Sequence, residues 1–222
     1  MFVYYLITRW KELGKINGKE YIVKTIVTTE TIKTIAERNG VEMYDVYTGF
    51  KWIANVMREN EGKKNYIGGG EESYGFLCED FVRDKDAVSA CVILAEIAAW
   101  AKDQGLSLYQ LLQKIYVEYG FSKEKGISVV KKGKSGAEEI EAMMKKFREN
   151  PLTEIAGSKV TYFYDYSTLK GKDYAENETV TLDMPTTSNV LQYFTEDNTK
   201  VSIRPSGTEP KIKFYCEVHS KV

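Results

Sequence analysis

The sequence lacks the features that mark nucleic-acid-binding, disulfide-rich and membrane-spanning proteins. Its formal net charge is only −1 at pH 7, so no long-range field would attract nucleic acid or an acidic membrane. Its three cysteines, Cys78, Cys91 and Cys216, are widely spaced and include no C-x-x-C pair, which predicts reduced structural thiols in the cytoplasm. The apolar runs are too short to cross a bilayer. The amino terminus has neither the basic region nor the cleavage site of a signal peptide.

The order of predicted helices and strands divides the chain into two domains. With 222 residues, of which 43% are hydrophobic and 28% charged, the chain resembles an ordinary globular protein of one or two domains. Up to about residue 121, strands alternate with helices, which predicts an α/β domain with a parallel or mixed sheet. From 122 to 222, one helix is followed mainly by short strands, which predicts a small α+β domain.

Local signals give three more specific expectations. Thr29 is expected to cap a short helix. Asp84 is expected to begin a long helix, in which one side carries Val88, Cys91, Val92, Ala95 and Ala99. In the last strand, apolar residues alternate with polar ones, which predicts a half-buried antiparallel strand. Its apolar residues are Ile212, Phe214, Cys216 and Val218.

The segment from Arg204 to Lys211, RPSGTEPK, has a backbone suited to a phosphate-binding loop. Pro205 fixes its own φ and favours extended backbone at the residue before it. Gly207 can adopt a positive φ and lets the backbone approach a ligand closely. Successive N–H groups in such a turn can form an anion-binding concavity.

The side chains of this segment also suit an anion. Ser206 and Thr208 offer hydroxyl donors, and the planar fork of Arg204 matches phosphate oxygens. Lys213 projects from the next strand away from its apolar face and could reach the same anion. A tight surface turn with one solvated arginine is the simpler interpretation, but so many suitable residues within seven positions favour an anion site.

A second polar segment, GGGEESYGF, follows a short apolar stretch and runs from Gly68 to Phe76. Its three glycines predict a sharp, close-packed turn. Glu71 and Ser73 are two residues apart, so in an extended loop they would project to the same side. A carboxylate beside a hydroxyl suits neighbouring sugar hydroxyls. From these residues alone, a glycine turn with solvated acids is the preferred interpretation, because short motifs match by accident.

Taken in order, five segments resemble the α-D-phosphohexomutases, the phosphoglucomutase/phosphomannomutase family. They are KTIVTTE from Lys24, TGFKWI from Thr48, GGEESYGF from Gly69, VRDKDAV from Val82 and RPSGTEPKIKFY from Arg204. The resemblance covers nearly the whole chain but corresponds only to the third and fourth of the family's four domains. It implies a domain-three-like α/β mixed-sheet domain at 1–121 and a TATA-binding-protein-like α+β domain at 122–222.

The resemblance also implies a role for each loop. In the family, an enzyme phosphoserine gives its phosphoryl group to a sugar monophosphate; the resulting bisphosphate turns over and returns its other phosphate. The ligands would be glucose 1-phosphate, glucose 6-phosphate or mannose phosphates. The residues implied to bind the sugar are Glu71, Glu72 and Ser73. Those implied to bind the non-reacting phosphate are Arg204, Ser206, Gly207, Thr208 and Lys213. The two loops are expected to face one cleft.

Lys51, Arg83 and Lys85 are candidates for additional positive charge in that cleft. Lys51 is equally explained as a solvated lysine. Arg83 and Lys85 could instead pair with nearby acids as part of the scaffold, and a mixed role is our interpretation.

Two loops that the family needs for catalysis are missing from the sequence. The family's nucleophilic serine lies in a TASHNP loop, whereas the only histidine here is His219 and no such loop precedes it. The family's magnesium lies in a DGDxDR loop, whereas the only Asp-x-Asp here is Asp84-Lys85-Asp86. We therefore expect no catalytic residue, metal ligand or cofactor in this chain. It is expected to be an inactive fragment, whose parent enzyme uses magnesium, glucose 1,6-bisphosphate and the missing amino-terminal domains.

Two other interpretations stay open at this point. The DKDAVSA stretch also resembles a long phosphoglucomutase branch, which would suggest phosphopentomutase activity. The chain could also be a freestanding, non-catalytic sugar-phosphate-binding protein. Some family members carry a histidine at the position of Phe50 and another near Gly75. Neither histidine is present here, which argues against the phosphomannomutase branch and favours a phosphoglucomutase-like enzyme.

Overall fold

A computed structural model describes residues 1–207 and 209–220, which form two compact units, 1–121 and 122–220. The first unit contains five helices and four strands within the described residues. In chain order they are α1 (Phe2–Glu12), β1 (Glu20–Thr25), α2 (Thr31–Arg38), β2 (Glu42–Val46), α3 (Phe50–Asn60), β3 (Asn65–Gly70), β4 (Phe76–Cys78), α4 (Ala87–Asp103) and α5 (Leu108–Tyr119). Strands and helices alternate through β3, as the sequence pattern predicts.

The sheet of the first unit is mixed, which confirms the predicted α/β class. Its strand order is β2-β1-β3-β4; β1 is parallel to both neighbours, and β4 is antiparallel to β3. Strand β1 is buried along its whole length. Its successive side chains enter different cores, because neighbouring residues of a strand point to opposite faces. Ile22 packs with α1, α2, α4 and α5, while Tyr21 and Val23 pack with α3.

Gly68, Gly69 and Gly70 lie in β3, so the turn predicted for them is wrong. A Cβ atom on Gly69 would stand 2.1 Å from the carbonyl oxygen of Val23, and one on Gly70 would stand 2.3 Å from that of Gly75. Both positions therefore need glycine because neighbouring backbone lies where a side chain would begin. The turn follows the glycines, at residues 71–75.

Two helix starts also differ from the sequence predictions. The N-cap of α2 is Glu30 rather than Thr29, although the Thr29 Oγ1 accepts a hydrogen bond of 3.2 Å from the Thr31 N–H. Helix α4 begins at Ala87, and Asp86 rather than Asp84 caps it. The Asp86 carboxylate accepts from the N–H groups of Val88 and Ser89, which satisfies two donors that have no partner within the helix.

The second unit is an antiparallel sheet with one helix, as expected for an α+β domain. Its elements are β5 (Phe121–Val130), α6 (Gly133–Glu149), β6 (Glu154–Ile155), β7 (Ser158–Asp165), β8 (Lys170–Asp173), β9 (Glu178–Thr181), β10 (Leu191–Thr195), β11 (Lys200–Pro205) and β12 (Lys211–Ser220). The strand order is β5-β12-β11-β10-β7-β8-β9, with β6 paired to β7. Helix α6 covers one face, where Ile140 and Met144 pack against Leu191, Ile203 and Ile212.

The opposite face of this sheet contains buried polar side chains. Lys200 Nζ and Glu217 Oε2 form an ion pair at 3.1 Å, and both side chains are almost fully buried. Ser122 Oγ donates to Glu217 Oε1 at 3.1 Å. Because Glu217 is buried here while Val218 is 45% exposed, the alternation predicted for β12 fails at its carboxyl end. His219, which the same strand carries, contacts Glu217 at 3.1 Å.

Candidate functional site

The connection between β3 and β4 is a tight loop that is fixed to the start of α3. Its ends are joined by a hydrogen bond of 2.7 Å from the Glu71 N–H to the Gly75 carbonyl. The Glu71 carboxylate accepts a second hydrogen bond of 2.7 Å from the N–H of Gly49, the residue that precedes α3. Glu71 therefore holds the predicted sugar loop against a helix that begins 21 residues earlier in the sequence.

Glu72 and Ser73 form the polar pair at the tip of this loop. Ser73 Oγ donates to Glu72 Oε1 at 2.9 Å, and Thr25 Oγ1 donates to Glu72 Oε2 at 3.3 Å. The backbone of residues 72–74 forms a turn and is not extended. The expectation that Ser73 would project beside Glu71 is therefore wrong, since the structure pairs it with Glu72. Sequence reasoning did not find Thr25, whose contact joins residues 47 positions apart.

A buried lysine lies at the carboxyl end of β1, next to Thr25. Lys24 is fully buried, and its Nζ contacts Asp45 Oδ1 at 2.6 Å and Glu30 Oε1 at 3.0 Å. Burial alone would lower the pKa of Lys24, but the two carboxylates outweigh burial and raise it. The ammonium group therefore stays charged and links β1, β2 and the start of α2. In the sequence, Lys24 stands out only as the first residue of the KTIVTTE segment.

Lys51, Arg83 and Lys85 all line one surface depression of about 770 Å³ in the first unit. Its wall consists of one side of α3 and the connection between β4 and α4, and it also includes Arg58 and Asn55, which the sequence did not indicate. Arg83 contacts Glu61 at 3.2 Å and Lys85 contacts Asp84 at 3.2 Å. These ion pairs support the interpretation that Arg83 and Lys85 also pair with nearby acids as part of the scaffold.

In the second unit, the predicted phosphate loop connects β11 to β12. Arg204 pairs with Lys213 in the strand register, and the Ser206 N–H donates to the Lys211 carbonyl at 2.8 Å. The Lys131 N–H donates to the Pro210 carbonyl at 2.8 Å, which fixes the loop to the end of β5. The loop is therefore short and held at both of its sides.

Arg204 and Lys213 share one face of the hairpin, because directly paired residues of antiparallel strands lie on the same side. Both side chains are partly exposed, and Lys213 Nζ lies 5.8 Å from the centre of the Tyr215 ring. A Cβ atom on Gly207 would meet no other atom within 4 Å, and the φ of Gly207 is not in the left-handed region that favours glycine. Thr208 lies outside the described residues. The side chains that supply positive charge here are thus Arg204 and Lys213, with Lys211 paired to Glu209.

Within residues 1–207 and 209–220, no three histidine, cysteine or acidic side chains form a group that could hold a metal ion. Of the two acids in the Asp-Lys-Asp segment, Asp84 binds Lys85 and Asp86 caps α4. No helix among those residues is long and apolar enough to cross a membrane.

Comparison with known families gives one match for each part of the chain. Residues 1–119 match the model for phosphoglucomutase/phosphomannomutase, alpha/beta/alpha domain III, and residues 128–222 match that for phosphoglucomutase/phosphomannomutase, C-terminal domain. The chain belongs to the phosphoglucomutase/phosphomannomutase family. Its two matches are to domain III and the C-terminal domain, as the five sequence segments had indicated.

Among similar curated proteins of this family is a phosphoglucomutase from Staphylococcus haemolyticus (strain JCSC1435). It is 35% identical over 214 residues, which cover 96% of this chain and 39% of the relative. A phosphoglucomutase from Staphylococcus aureus (strain bovine RF122 / ET3-1) is 40% identical over 197 residues, which cover 89% of this chain and 35% of the relative. The chain therefore spans less than two fifths of the length of these curated relatives.

Solved structures show the same fold. The open form of pp63/parafusin, a phosphoglucomutase from Paramecium, superimposes with a TM-score of 0.67 at 18% identity, covering 99% of this chain and 37% of that protein. A phosphoglucomutase/phosphomannomutase family protein from Burkholderia thailandensis gives a TM-score of 0.57 at 14% identity, again covering 99% of this chain and 37% of that protein.

Proposed function

We propose that this chain is the substrate-binding carboxyl-terminal part of a phosphohexomutase, an enzyme that interconverts hexose 1-phosphate and hexose 6-phosphate through a phosphoserine. The observation that carries the proposal is the Arg204–Lys213 pair at the base of the 204–208 loop. It places two basic residues opposite each other on neighbouring strands where the sequence predicts a phosphate.

An anion is a chemical partner that suits this pair. Like charges directly opposite each other on neighbouring strands are destabilising. A phosphate monoester carries about −1.5 to −2 charges at neutral pH and offers three strong acceptor oxygens. A phosphate between the two side chains would replace their repulsion with two charge-assisted hydrogen bonds. Arg204 can provide a bidentate fork, whereas Lys213 acts as a point charge.

The first unit supplies groups suited to sugar hydroxyls. Glu71, Glu72 and Ser73 are consecutive residues of a loop whose ends are joined by a hydrogen bond. A carboxylate can accept several hydrogen bonds, so Glu71 and Glu72 keep capacity for hydroxyl donors beyond their bonds to Gly49, Thr25 and Ser73. Lys51, Arg83 and Lys85 would add positive charge within the same unit. Binding both the sugar and its remote phosphate would orient the reacting end, and orientation can supply much of a rate enhancement.

The remaining parts of the reaction would come from the rest of the parent protein. The phosphoserine, magnesium and glucose 1,6-bisphosphate would act with the missing amino-terminal domains. We expect the chain alone to show no mutase activity, even when magnesium and glucose 1,6-bisphosphate are added. Turnover above a no-protein control in a coupled assay would contradict this.

Titration followed by nuclear magnetic resonance tests the binding role directly. Inorganic phosphate or glucose 1-phosphate should move the amide signals of Ser206 and Gly207. Hydrogen bonds to charged groups contribute roughly 1.5–3 kcal/mol each, but exposed ion pairs contribute only about 0–1 kcal/mol. We therefore expect a dissociation constant on the order of millimolar, which corresponds to about −4 kcal/mol.

Two arginine variants provide the matched comparison. Arg204→Ala should abolish the movement of the loop signals, whereas Arg83→Ala, in the other unit, should leave it largely intact. If the amide signals stay still at tens of millimolar ligand, on the scale set by a millimolar constant, or if Arg204→Ala changes nothing, the 204–208 segment is only a turn.

A further inference from the structure

Tyr74 lies fully in solvent at the tip of the loop between β3 and β4. Its side chain is 101% exposed, whereas Val88, the next most exposed large apolar residue in the described part of the chain, reaches 74%. The ring of Tyr74 therefore adds little to the packing of the first unit. A single exposed aromatic residue would be ordinary on a protein surface. Its backbone conformation makes this one unusual.

The backbone at Tyr74 has a φ of +67°, in the left-handed region that disfavours bulky side chains. Six non-glycine residues within 1–207 and 209–220 have a positive φ, and Tyr74 is the only aromatic residue among them. Backbone strain of this kind costs stability and is concentrated at ligand-binding and catalytic sites. The loop therefore carries an aromatic ring where the backbone disfavours one and where packing does not require it.

The next residue shows how closely the strained position adjoins the predicted sugar ligands. A Cβ atom on Gly75 would stand 2.9 Å from Glu71 Oε2 and 3.1 Å from Lys85 Cδ. A side chain at position 75 would thus have to displace the Glu71 carboxylate. Tyr74 can carry a large side chain beside this carboxylate without displacing it, because its own side chain extends into solvent.

We propose that Tyr74 is a specificity-determining residue, whose ring stacks on the C–H face of the hexose that this loop binds. The proposal rests on the proposed function, in which Glu71, Glu72 and Ser73 bind sugar hydroxyls. A pyranose carries hydroxyls around its rim and C–H groups on its faces. The face of an aromatic ring is negative and attracts such hydrogens. The acids and the serine would thus bind the rim of the sugar while Tyr74 covers one face.

Methyl α-D-glucoside tests this contact in the full chain, because it offers a hexose ring without a phosphate. Nuclear magnetic resonance follows the ring signal of Tyr74, which is assigned by its loss in Tyr74→Phe. The glucoside should move this signal but not that of Tyr109, which is 69% exposed on α5 of the same unit. Equal movement of both ring signals, or no movement of the Tyr74 signal at hundreds of millimolar glucoside, would overturn the proposal.

Two substitutions at Tyr74 separate stacking from support of the loop. Tyr74→Phe keeps the ring and should retain glucoside binding, measured on the amide signals of Ser73 and Gly75. Tyr74→Gly removes the ring and accepts the positive φ. It should weaken glucoside binding at least about threefold, which is equivalent to about 0.65 kcal/mol. Tyr109→Ala is the control and should leave binding unchanged. Unchanged binding in Tyr74→Gly would show that the ring does not touch the sugar.

The Gly49 amide signal reports whether the loop stays intact in Tyr74→Gly, because this N–H donates to the Glu71 carboxylate at 2.7 Å. Without ligand, the signal should be the same in Tyr74→Gly as in the wild type. A displaced Gly49 signal would mean that the ring supports the loop itself, and the stacking role would be wrong.

Inorganic phosphate separates this test from that of the proposed function. Phosphate should move the amide signals of Ser206 and Gly207 equally in the wild type and in Tyr74→Gly. If phosphate binds in this way but the glucoside leaves Tyr74 unaffected, only the stacking role is wrong. If the glucoside moves the Tyr74 signal while phosphate leaves the 204–208 loop unaffected, the stacking role is supported and the phosphate role is wrong.

Discussion

Arg204 and Lys213 lie directly opposite each other on β11 and β12, one pair before Pro205 and Ile212 end the strand ladder. Two cations in this position repel each other across the hairpin. We expect this like-charge pair to cost some stability, although the Glu209 carboxylate also interacts with Lys213. An anion at this position would recover it.

Lys213→Gln should stabilise the ligand-free chain and weaken its response to phosphate. Removal of one like charge from the cross-strand pair should raise the free energy of unfolding by about 0.2–1 kcal/mol. The stabilisation that phosphate gives should become smaller, because one of its two cations is gone. Urea unfolding with and without phosphate measures both effects. Lys134→Gln, on α6, is the control and should leave the phosphate response unchanged; an equal response in Lys213→Gln would remove Lys213 from the site.

Gly69→Ala should destabilise the first unit strongly. The new Cβ would meet the Val23 carbonyl at 2.1 Å and the Tyr66 hydroxyl at 2.8 Å, and Val23 belongs to an internal strand that cannot shift alone. Overpacking of this kind costs about 1–3 kcal/mol, and we expect the upper end of that range or more. Thermal unfolding measures the loss. Gly126→Ala, where a Cβ meets nothing within 4 Å, should change stability by less than about 0.5 kcal/mol.

Asp45→Asn should destabilise the first unit at pH 7 by leaving the buried Lys24 ammonium with a single carboxylate partner. Breaking a buried ion pair costs about 3–5 kcal/mol, and we expect roughly half of this because Glu30 still pairs with Lys24. Replacing the exposed Asp84 by Asn provides the comparison, since its ion pair with Lys85 is solvated. If chemical denaturation gives the same small loss for both variants, Lys24 does not depend on Asp45.

The Asp197 carboxylate should stabilise the folded chain at neutral pH and lose this effect in strong acid. The hydroxyl of Thr195, followed by the N–H of Thr199, lowers the pKa of this carboxyl to about 2. Because the folded pKa lies below the unfolded one, the contribution is complete above about pH 4 and is lost as pH falls toward 2.

Asp197→Asn should therefore flatten the decline in unfolding midpoint between about pH 4 and pH 2. Asp183→Asn removes a charge from an exposed position in the same unit and serves as the control. A decline that is equally steep in wild type and Asp197→Asn would show that this carboxyl does not carry the acid dependence.

The sequence predicts the loops of this chain better than the packing around them. The segment from Arg204 to Gly207 could be recognised because its residue types lie close together in sequence, and the structure places it at the end of β11 and in the connection to β12. Its role in anion binding stays a prediction. The glycines at 68–70 were taken for a turn, since glycine is most common in turns, whereas the decisive constraint is the backbone of Val23.

Other errors have the same origin in contacts between distant residues. Glu217 is buried because Lys200 lies opposite it, which overrides the alternation of its own strand. Arg58 was missed because the depression that it lines forms only when α3 meets the segment before α4. The exposure of Val92 could not be foreseen either, since an apolar stripe has the same sequence pattern whether it is buried or exposed.

The glycines of β3 also limit where this family member can diversify. Gly69 and Gly70 have backbone atoms where a side chain would begin, so substitution there is closed on steric grounds. Under the proposed function, adaptation to a different sugar would therefore have to come from residues 71–74, of which Ser73 and Tyr74 are exposed. A library confined to those positions would sample most of the specificity that this strand can support.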